Sequence, residues 1–299
     1  MHSNASRSAQ TPAHAHEPAL TAHSVTTVRS ARFAPEDHTF VVCAYGESPY
    51  LEECLTSLEA QEQPTRIMVV TSTPNDLIAD AALAYDVPLV VNQGEAGIAG
   101  DWNFALSCVN TPLATIAHQD DVYLPSYARA ALEWMNVAAE QSPGTAPLIY
   151  FCDYAELRNG CMVQDAPMLA VKRKLLTPLR DPRAWSSVKA RRRALSLGNA
   201  ICCPSVTYNL QAVGRPVFSA GMRSNLDWEA WERLSKVAGS FVYDDAVRMC
   251  HRVHEGSETS ACIQDDVRTQ EDLALLSRFW PLPVARAINA AYSTAQRYN

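Results

Sequence analysis

Two adjacent carboxylates, Asp120 and Asp121, directly follow the apolar run Leu113–Ala117 and precede a helix start at Pro125. Aspartates at the carboxyl end of a strand supply hard oxygen ligands for Mg²⁺ or Mn²⁺. Such an ion takes its remaining ligands from water and from a substrate diphosphate. An aspartate pair can also simply cap a helix or occupy a turn. These residues alone therefore predict either a divalent metal site or a helix cap.

A third carboxylate, Asp227, opens a predicted helix in which Trp228 and Trp231 share one face. A carboxylate in such a place can act as a general base toward a hydroxyl group. An acid at a helix start is also favoured by the helix dipole, so the structural explanation stays open. Glu229 is the second candidate for the base, and the tryptophans are expected in the core or along a substrate wall.

A histidine, His254, follows a strand-like segment and precedes a Gly- and Ser-containing loop at 255–260. An imidazole can bind a metal ion, and Arg252 or the loop amides can hold phosphate oxygens. A single histidine often has a structural role instead. These residue types together are suited to bind a metal ion or an anionic ligand.

The elements that must position these groups alternate between strand and helix along the first half of the chain. Strands are predicted at Thr39–Ala44, Arg66–Thr71, Val87–Val91 and Leu113–Ala117, and helices after Ser48-Pro49 and at Asp76–Tyr85 and Ile98–Val109. This alternation predicts an α/β protein with a Rossmann-like, mainly parallel sheet and flanking helices. Ligands of such sheets bind at the carboxyl ends of the strands.

The second half is less regular. Strands are predicted at Leu148–Leu157, Ile201–Tyr208 and Phe241–Val253, and helices at Leu226–Val237, Glu271–Phe279 and Val284–Arg297. The last two helices are separated by prolines. Residues 1–38, rich in Ser, Thr, Ala, Pro and His, are predicted to form a disordered tail.

Composition limits the class of protein. The 299 residues carry 25 basic and 32 acidic side chains, a net charge of -7, which argues against a general nucleic-acid binder. No run of about 18 apolar residues predicts a membrane span, and the N-terminus lacks the apolar core of a secretory signal. Nine cysteines without a CxxC pair indicate buried thiols in a reducing compartment. We therefore expect a cytoplasmic protein.

One block of the chain is strongly basic. Residues Lys172–Arg193 contain nine Lys and Arg and one acid, Asp181, a net charge of +8. A solvated helix face explains such a block. The alternative is a patch for an anionic acceptor, such as a lipid-linked diphosphate, or for peripheral contact with the inner face of a membrane.

Three motifs together resemble family 2 glycosyltransferases, which have the GT-A fold. The first is Val41–Glu47 followed by Tyr50–Leu58, the second is Gly97–Leu106, and the third is Asp120-Asp121 with its proline four residues later. The resemblance runs from about residue 39 to 135 and more weakly to about 260. Two positions depart from the family pattern: His118 stands where many members have an acid, and Thr71-Ser72-Thr73 replaces an acidic pair.

The resemblance implies a role for each matched position. Asp121 and His254 would bind the metal, Asp227 would be the catalytic base, and Asp120 would lie near the ribose. The remaining donor-binding positions it implies are Ala44, Tyr45, Glu47, Thr71 and Asn103.

The implied function is inverting transfer of a hexose-type sugar from a nucleoside-diphosphate sugar to an acceptor hydroxyl, with Mn²⁺ or Mg²⁺. The acceptor would be a saccharide or a lipid-linked compound, as in the synthesis of cell-surface polysaccharides or glycoconjugates. The chain would divide into a donor half at 39–135, an acceptor and base half at 136–262, and C-terminal helices at 263–299. A catalytically silent nucleotide-sugar-binding protein and a sugar-phosphate nucleotidylyltransferase are the alternatives.

Overall fold

The computed structural model describes residues 33–95, 97–254 and 267–296. Within these ranges the chain forms one nine-stranded sheet with helices packed against it. The strands are β1 His38–Ala44, β2 Arg66–Thr71, β3 Leu89–Val91, β4 Leu113–His118, β5 Val122–Tyr123, β6 Pro147–Arg158, β7 Cys161–Val163, β8 Val206–Asn209 and β9 Ser240–Arg252. The helices are α1 Leu51–Glu59, α2 Asp76–Ala84, α3 Ile98–Cys108, α4 Tyr127–Gln141, α5 Pro167–Leu175, α6 Val188–Leu195, α7 Leu210–Val213, α8 Leu226–Leu234, α9 Val267–Leu276 and α10 Leu282–Gln296.

The strand order is β3-β2-β1-β4-β8-β6-β9-β5, with β7 paired to the far end of β6. Strands β3, β2, β1 and β4 are parallel, as the alternation of strands and helices predicts. The expectation of a mainly parallel sheet is wrong for the second half. There β8 inserts antiparallel between β4 and β6, and β5 pairs antiparallel with β9, so that only β6 and β9 are parallel.

The first half folds as its apolar pattern requires. Val41 and Val42 of β1 are fully buried, because helices cover both faces of a parallel sheet. Helix α1 buries Leu51, Cys54, Leu55 and Leu58, which recur at helical spacing. The predicted strand and helix over residues 39–58 are therefore confirmed.

The N-terminal boundary of the fold lies earlier than predicted. His38 is the first residue of β1 and is fully buried, with its imidazole between the hydroxyls of Thr65 and Thr115. Phe33 exchanges two backbone hydrogen bonds with the side-chain amide of Asn136. Residues 33–38 thus belong to the folded protein, and the rest of the predicted tail, 1–32, lies outside the described residues.

Several second-half elements are shorter than, or shifted from, their predicted spans. The strand predicted from Ile201 begins only at Val206, because Cys203–Ser205 form a 3₁₀ helix that contains Pro204. Helix α8 ends at Leu234. Two C-terminal helices, α9 and α10, are present as predicted and contact each other. The loop at 255–260 lies outside the described residues.

The basic block is not a uniform solvated face. Arg191 is fully buried, with its guanidinium over the Phe241 ring, and Arg192 forms an ion pair with the buried Glu232. Arg173 pairs with Asp153. The exposed members of the block are Lys174, Arg180, Arg183, Lys189 and Arg193.

Eight of the nine cysteines lie in the described residues, and none of these eight is in a disulfide. Cys161 is exposed, and five of the others are buried. Burial raises the pKa of Cys54 well above its usual value, and the nearby Asp121 and Asp120 carboxylates raise it further. The buried thiols predicted from the sequence are thus largely confirmed. Among the described helices, none combines the length and apolarity needed to cross a bilayer.

Candidate active site

The loops that follow β1 and β4 meet at the carboxyl edge of the sheet. The side-chain amide of Gln119 accepts a hydrogen bond from the Tyr45 backbone N–H, at 3.0 Å, and donates one to the Tyr45 carbonyl, at 2.8 Å. Gly46 has φ +60°, a conformation that glycine adopts without strain, and its N–H donates to the Thr73 hydroxyl. This two-sided contact leaves the Tyr45 side chain 63% exposed at the mouth of the site.

Asp121 is a fully buried carboxylate whose hydrogen-bond partners come from β9, late in the sequence. Its Oδ1 atom accepts hydrogen bonds from the Arg252 backbone N–H, at 2.8 Å, and lies 3.0 Å from His251 Nδ1. Its Oδ2 atom is buried and has no hydrogen-bond partner within the part of the chain that the structure describes. A buried carboxylate oxygen in this state is costly unless another ligand occupies it.

His118 and Asp120 complete a cluster with Asp121. Each of the three offers one ligand atom, and these atoms all lie within 4.8 Å of one another. The imidazole of His118 stacks on Trp102 with ring centroids 5.2 Å apart, and its buried Nε2 atom has no partner among the described residues. Two carboxylates and one imidazole suit Mn²⁺ well and Mg²⁺ acceptably. The cluster, with Asp121 Oδ2 unsatisfied and 3.9 Å from His118 Nδ1, therefore fits a divalent metal ion.

Asp120 is partly exposed, and its Oδ2 atom lies 2.9 Å from His254 Nε2. Burial acts to raise the pKa of Asp120, but the His118, His254 and His251 imidazoles outweigh it and hold that pKa below its usual value. Asp120 is therefore an anion at neutral pH. The histidine predicted as a metal ligand, His254, contacts Asp120, whereas His251 and His118 lie next to Asp121, at 3.0 Å and 3.9 Å.

Arg252 has a different position from the one expected of a phosphate-binding arginine. Its guanidinium lies over the Tyr50 ring at 4.3 Å and donates to the Asp120 carbonyl, at 2.7 Å, and to Glu53, at 2.6 Å. These contacts fasten the acidic loop to the start of α1. Arg252 thus braces the loop that carries the carboxylates.

Asp227 lies in the first turn of α8, where its Oδ2 atom accepts a hydrogen bond of 2.6 Å from the Asn199 amide. Burial raises the pKa of Asp227, and the Trp228 N–H and the positive charges of Arg268 and Lys172 only partly oppose the rise. A carboxylate with a raised pKa takes up a proton more readily, as a general base must.

The charges of Asp227 and Asp121 both act on the thiol of Cys202. Burial raises the pKa of the Cys202 thiol, and both carboxylates raise it further, so that Cys202 lies within reach of the two charges. The charge of Lys172 lowers the pKa of the same thiol. The charges of the predicted base and the predicted metal carboxylate, more than 100 residues apart in the sequence, thus both act on the same thiol.

The neighbours of Asp227 on α8 belong to the core. Trp228 and Trp231 are fully buried; Trp228 donates from its indole N–H to the Leu195 carbonyl, and Trp231 stacks on Tyr208. Glu229 is buried against Arg278, which leaves Asp227 as the carboxylate suited to act as the base.

The remaining predicted donor-binding residues differ in their surroundings. Ala44 is buried at the end of β1, and Glu47 is exposed in the loop that follows. Thr71 is buried, with its hydroxyl accepting from the Thr73 N–H. Asn103 uses its whole amide on the backbone of Val217 and Phe218. Roles of these four residues in donor binding stay predictions, and the Asn103 contacts show that it also positions the segment before α8.

Four residues at this edge were not singled out by their spacing: His118 as a ligand, Gln119, Asn199 and His251. The motif His118-Gln119-Asp120-Asp121 could have indicated the first two, because all four of its side chains belong to the site. His251 and Asn199 reach Asp121 and Asp227 only through the tertiary fold. No sequence spacing indicates those two pairs.

Comparisons with known proteins agree with this geometry. The family model described as Glycosyl transferase family 2 matches residues 39–195, more than half of the chain. The first 349 residues of S. aureus TarS, in complex with UDP-GlcNAc, have 17% sequence identity and a TM-score of 0.57, with 86% of this chain and 71% of that chain covered. No curated protein sequence matches the chain significantly.

A second solved structure is the mannosyltransferase PcManGT from Pyrobaculum calidifontis, in complex with GDP-Man and Mn²⁺. It has 17% identity and a TM-score of 0.55, and the match covers 88% of this chain and 78% of that chain. At this identity the two likenesses show a shared GT-A fold, which confirms the predicted architecture. The chain belongs to glycosyl transferase family 2 and is a glycosyltransferase.

Proposed function

We propose that this glycosyltransferase moves a hexose-type sugar from a nucleoside-diphosphate sugar to an acceptor hydroxyl, with inversion at the anomeric carbon. The observation that supports this most strongly is the cluster of His118, Asp120 and Asp121, in which two buried atoms have no partner among the described residues. The site faces the carboxyl edge of the parallel strands, where such sheets bind nucleotides.

His118, Asp120 and Asp121 would hold Mn²⁺ or Mg²⁺. A divalent ion there stabilises the negative charge that develops on the leaving diphosphate. His251 and the Arg252 N–H keep the Asp121 carboxylate turned toward the cluster. The donor base and ribose would lie against the loop of Ala44, Tyr45 and Glu47.

Asp227 would remove the proton from the acceptor hydroxyl as the oxygen attacks the anomeric carbon. Its burial favours proton uptake, and the amide of Asn199 orients the carboxylate. Attack from the face opposite the leaving diphosphate inverts the configuration at that carbon.

The acceptor would be a saccharide or a lipid-linked compound, and the product would contribute to a cell-surface polysaccharide or glycoconjugate. Peripheral membrane contact would use the exposed cations Lys174, Arg180, Lys189 and Arg193 rather than the whole basic block. Sedimentation with vesicles containing anionic lipid tests this contact: binding should fall with rising salt and disappear when these four residues are changed to Gln.

A screen of nucleoside-diphosphate sugars with Mn²⁺ tests the function itself. The wild-type protein should release nucleoside diphosphate slowly from one donor without acceptor, and faster with a suitable acceptor. NMR of the product should show the anomeric configuration opposite to that of the donor. A protein that binds a nucleotide sugar but never releases the diphosphate would be a catalytically silent member of the fold.

A further inference from the structure

The segment that leads into helix α8 is held by a carboxylate from the C-terminal part of the chain. The backbone N–H groups of three consecutive residues, Arg223, Ser224 and Asn225, donate to the side chain of Glu271 on α9. The Arg223 bond reaches one carboxylate oxygen, at 2.6 Å, and the other two bonds reach the second oxygen, each at 2.9 Å. A charged acceptor makes such bonds stronger than those between neutral groups. Glu271 therefore fastens the start of α8 to α9.

Asn225, the residue directly before α8, is also fixed through its side chain. Asparagine at this position commonly accepts a hydrogen bond from the first turn of its own helix. Within the described chain Asn225 makes no such capping bond. Its amide instead donates a 2.7 Å hydrogen bond to Asp272, and both residues are buried. Two neighbouring carboxylates of α9, Glu271 and Asp272, thus hold the backbone and the side chain of the same residue.

Helix α9 also contacts the body of α8. Arg278, just after α9, donates to the buried residues Glu229, at 3.1 Å, and Glu232, at 3.3 Å, both on α8. Leu275 and Leu276 of α9 are fully buried. Because α9 is tied to α8 at more than one place, it can act as a fixed support for the start of that helix.

Asp227 lies two residues after Asn225, in the first turn of α8. Its Oδ1 atom accepts a hydrogen bond from the Trp228 N–H, at 2.7 Å, and its Oδ2 atom accepts one from the amide of Asn199, at 2.6 Å. The carboxylate can keep both bonds only while the first turn of α8 stays in place relative to the loop after α6. A displacement of about 1 Å can lower the rate of a reaction by roughly 10²-fold.

We propose that Glu271 is a positioning residue, which holds the start of α8 so that the Asp227 carboxylate can take the proton of the acceptor hydroxyl. This proposal rests on the proposed function, because it takes Asp227 as the base. Glu271 lies outside residues 39–195, the segment that the family model matches. Helix α9 thereby contributes to the transfer through the helix that it holds.

The titration of Asp227 tests this role without a donor. NMR of isotope-labelled aspartate carboxyl groups, with Asp227 assigned from Asp227→Asn, would compare wild-type protein with two variants. Glu271→Ala removes the acceptor, while Glu271→Asp keeps the charge on a side chain that is one methylene shorter. In both variants the first turn of α8 should loosen and admit water. The pKa of Asp227 should then fall toward its ordinary value, because burial raises it in the wild-type protein.

A neighbouring position of α9 supplies the matched control. Gln270 is exposed, and Gln270→Ala should leave the titration of Asp227 unchanged. Thermal unfolding checks that each variant is folded. An unchanged titration of Asp227 in both folded Glu271 variants would overturn the proposal. Failure of both variants to fold would overturn it as well, because Glu271 would then have a role in stability alone.

Donor turnover measures the consequence for catalysis. The Mn²⁺-dependent release of UDP from UDP-GlcNAc, or of GDP from GDP-Man, should fall about 10- to 100-fold in Glu271→Ala, with little change in the KM of the donor. Added to Asp227→Asn, the same substitution should cause little further loss, because Glu271 acts through Asp227. Losses that multiply in the double variant would overturn the proposal.

A destabilised variant elsewhere separates positioning from stability. Ile78→Ala, at a fully buried residue of α2, should lower the unfolding temperature and leave turnover unchanged. Turnover that falls equally in Ile78→Ala and Glu271→Ala would count against a positioning role. Absence of Mn²⁺-dependent turnover of any donor by wild-type protein would refute the proposed function, and the titration of Asp227 would still decide whether Glu271 positions that carboxylate.

Discussion

The imidazole of His251 lies 3.0 Å from the carboxylate of Asp121 and joins two segments that are 130 residues apart in the sequence. Burial acts to lower the pKa of His251, but the charge and hydrogen bond of Asp121 and the charge of Asp120 together outweigh it and raise that pKa above its usual value. One oxygen of Asp121 is thereby occupied, which leaves the other for a ligand. The contact gives a fully buried carboxylate a polar partner from a distant strand.

Replacement of Asp121 by Asn should remove metal-dependent turnover. The amide can still accept the Arg252 N–H bond but carries no charge for Mn²⁺, so activity should fall by about 100-fold or more. Assays over a range of Mn²⁺ concentrations and calorimetric metal titration measure the effect. Circular dichroism should show a folded variant, and near-normal turnover would contradict the assignment of Asp121 as a ligand.

Replacement of Asp227 by Asn should lower the turnover number by roughly 10²- to 10⁴-fold while the donor still binds. The pH dependence of stability gives a second readout. Because burial raises the pKa of Asp227, the folded protein keeps this proton to higher pH than the unfolded chain does. The contribution of Asp227 to stability is therefore greatest below its unfolded pKa and is lost as the pH rises through the folded value.

Urea unfolding of both proteins between about pH 3 and pH 7 measures this loss. The difference in unfolding free energy should shift in favour of Asp227→Asn as the pH rises. If the difference in unfolding free energy instead shifts in favour of wild-type protein as the pH rises, the surroundings of Asp227 stabilise its charged form.

Replacement of Trp102 by Ala should weaken metal binding through His118. The indole stacks on the imidazole and also packs against Phe218, so the variant should lose about 2–4 kcal/mol of stability and roughly tenfold in Mn²⁺ affinity. Phe104→Ala on the same helix is the matched control. It should cost stability without changing Mn²⁺ affinity, and equal affinities in all three proteins would rule out a positioning role for Trp102.

Acid should destabilise the protein through His38. Burial lowers the pKa of this imidazole from 6.5 to about 3, so the unfolded chain binds a proton that the folded protein excludes. The contribution of His38 to stability is complete above about pH 6.5 and is lost as the pH falls toward 3, at up to about 1.4 kcal/mol per pH unit.

His38→Gln, which can still bond to Thr65 and Thr115, tests this acid sensitivity. The stability advantage of wild-type protein over the variant should shrink between pH 7 and pH 5 in denaturant titrations. A pH-independent difference would show that His38 contributes only packing.

The first four strands were predictable because their apolar runs, such as Thr39–Ala44, are bounded by turn residues and separated by helical patterns. The insertion of β8 between β4 and β6 was not predictable, since strand pairing between distant segments leaves no trace in local periodicity. The predicted end of the N-terminal tail, at residue 38, was wrong for a related reason. His38 looks like a polar residue of the tail, and only the hydroxyls of Thr65 and Thr115 make its burial acceptable.

The residues of the candidate site also divide into those that local sequence predicts and those that only the tertiary fold places. Asp120, Asp121 and Asp227 stand out because carboxylates follow a strand or open a helix, which local sequence reveals. The charge of a residue, in contrast, does not indicate where its side chain lies in the fold. Arg191 and Lys172 belong to one basic block, yet the first is buried over Phe241 and the second donates a hydrogen bond to the Tyr154 hydroxyl.

Strand β5, which directly follows Asp121, joins the sheet only by pairing with β9. The same strand β9 delivers His251 and the Arg252 N–H to the Asp121 carboxylate. During synthesis on the ribosome, the Asp121 carboxylate therefore lacks both of these hydrogen-bond partners until the chain has emerged beyond residue 252. Nascent or truncated chains that end with the family-matching segment, residues 39–195, would carry every acidic ligand and remain inactive. The hydrogen-bonded environment of Asp121 thus forms only when translation is near completion.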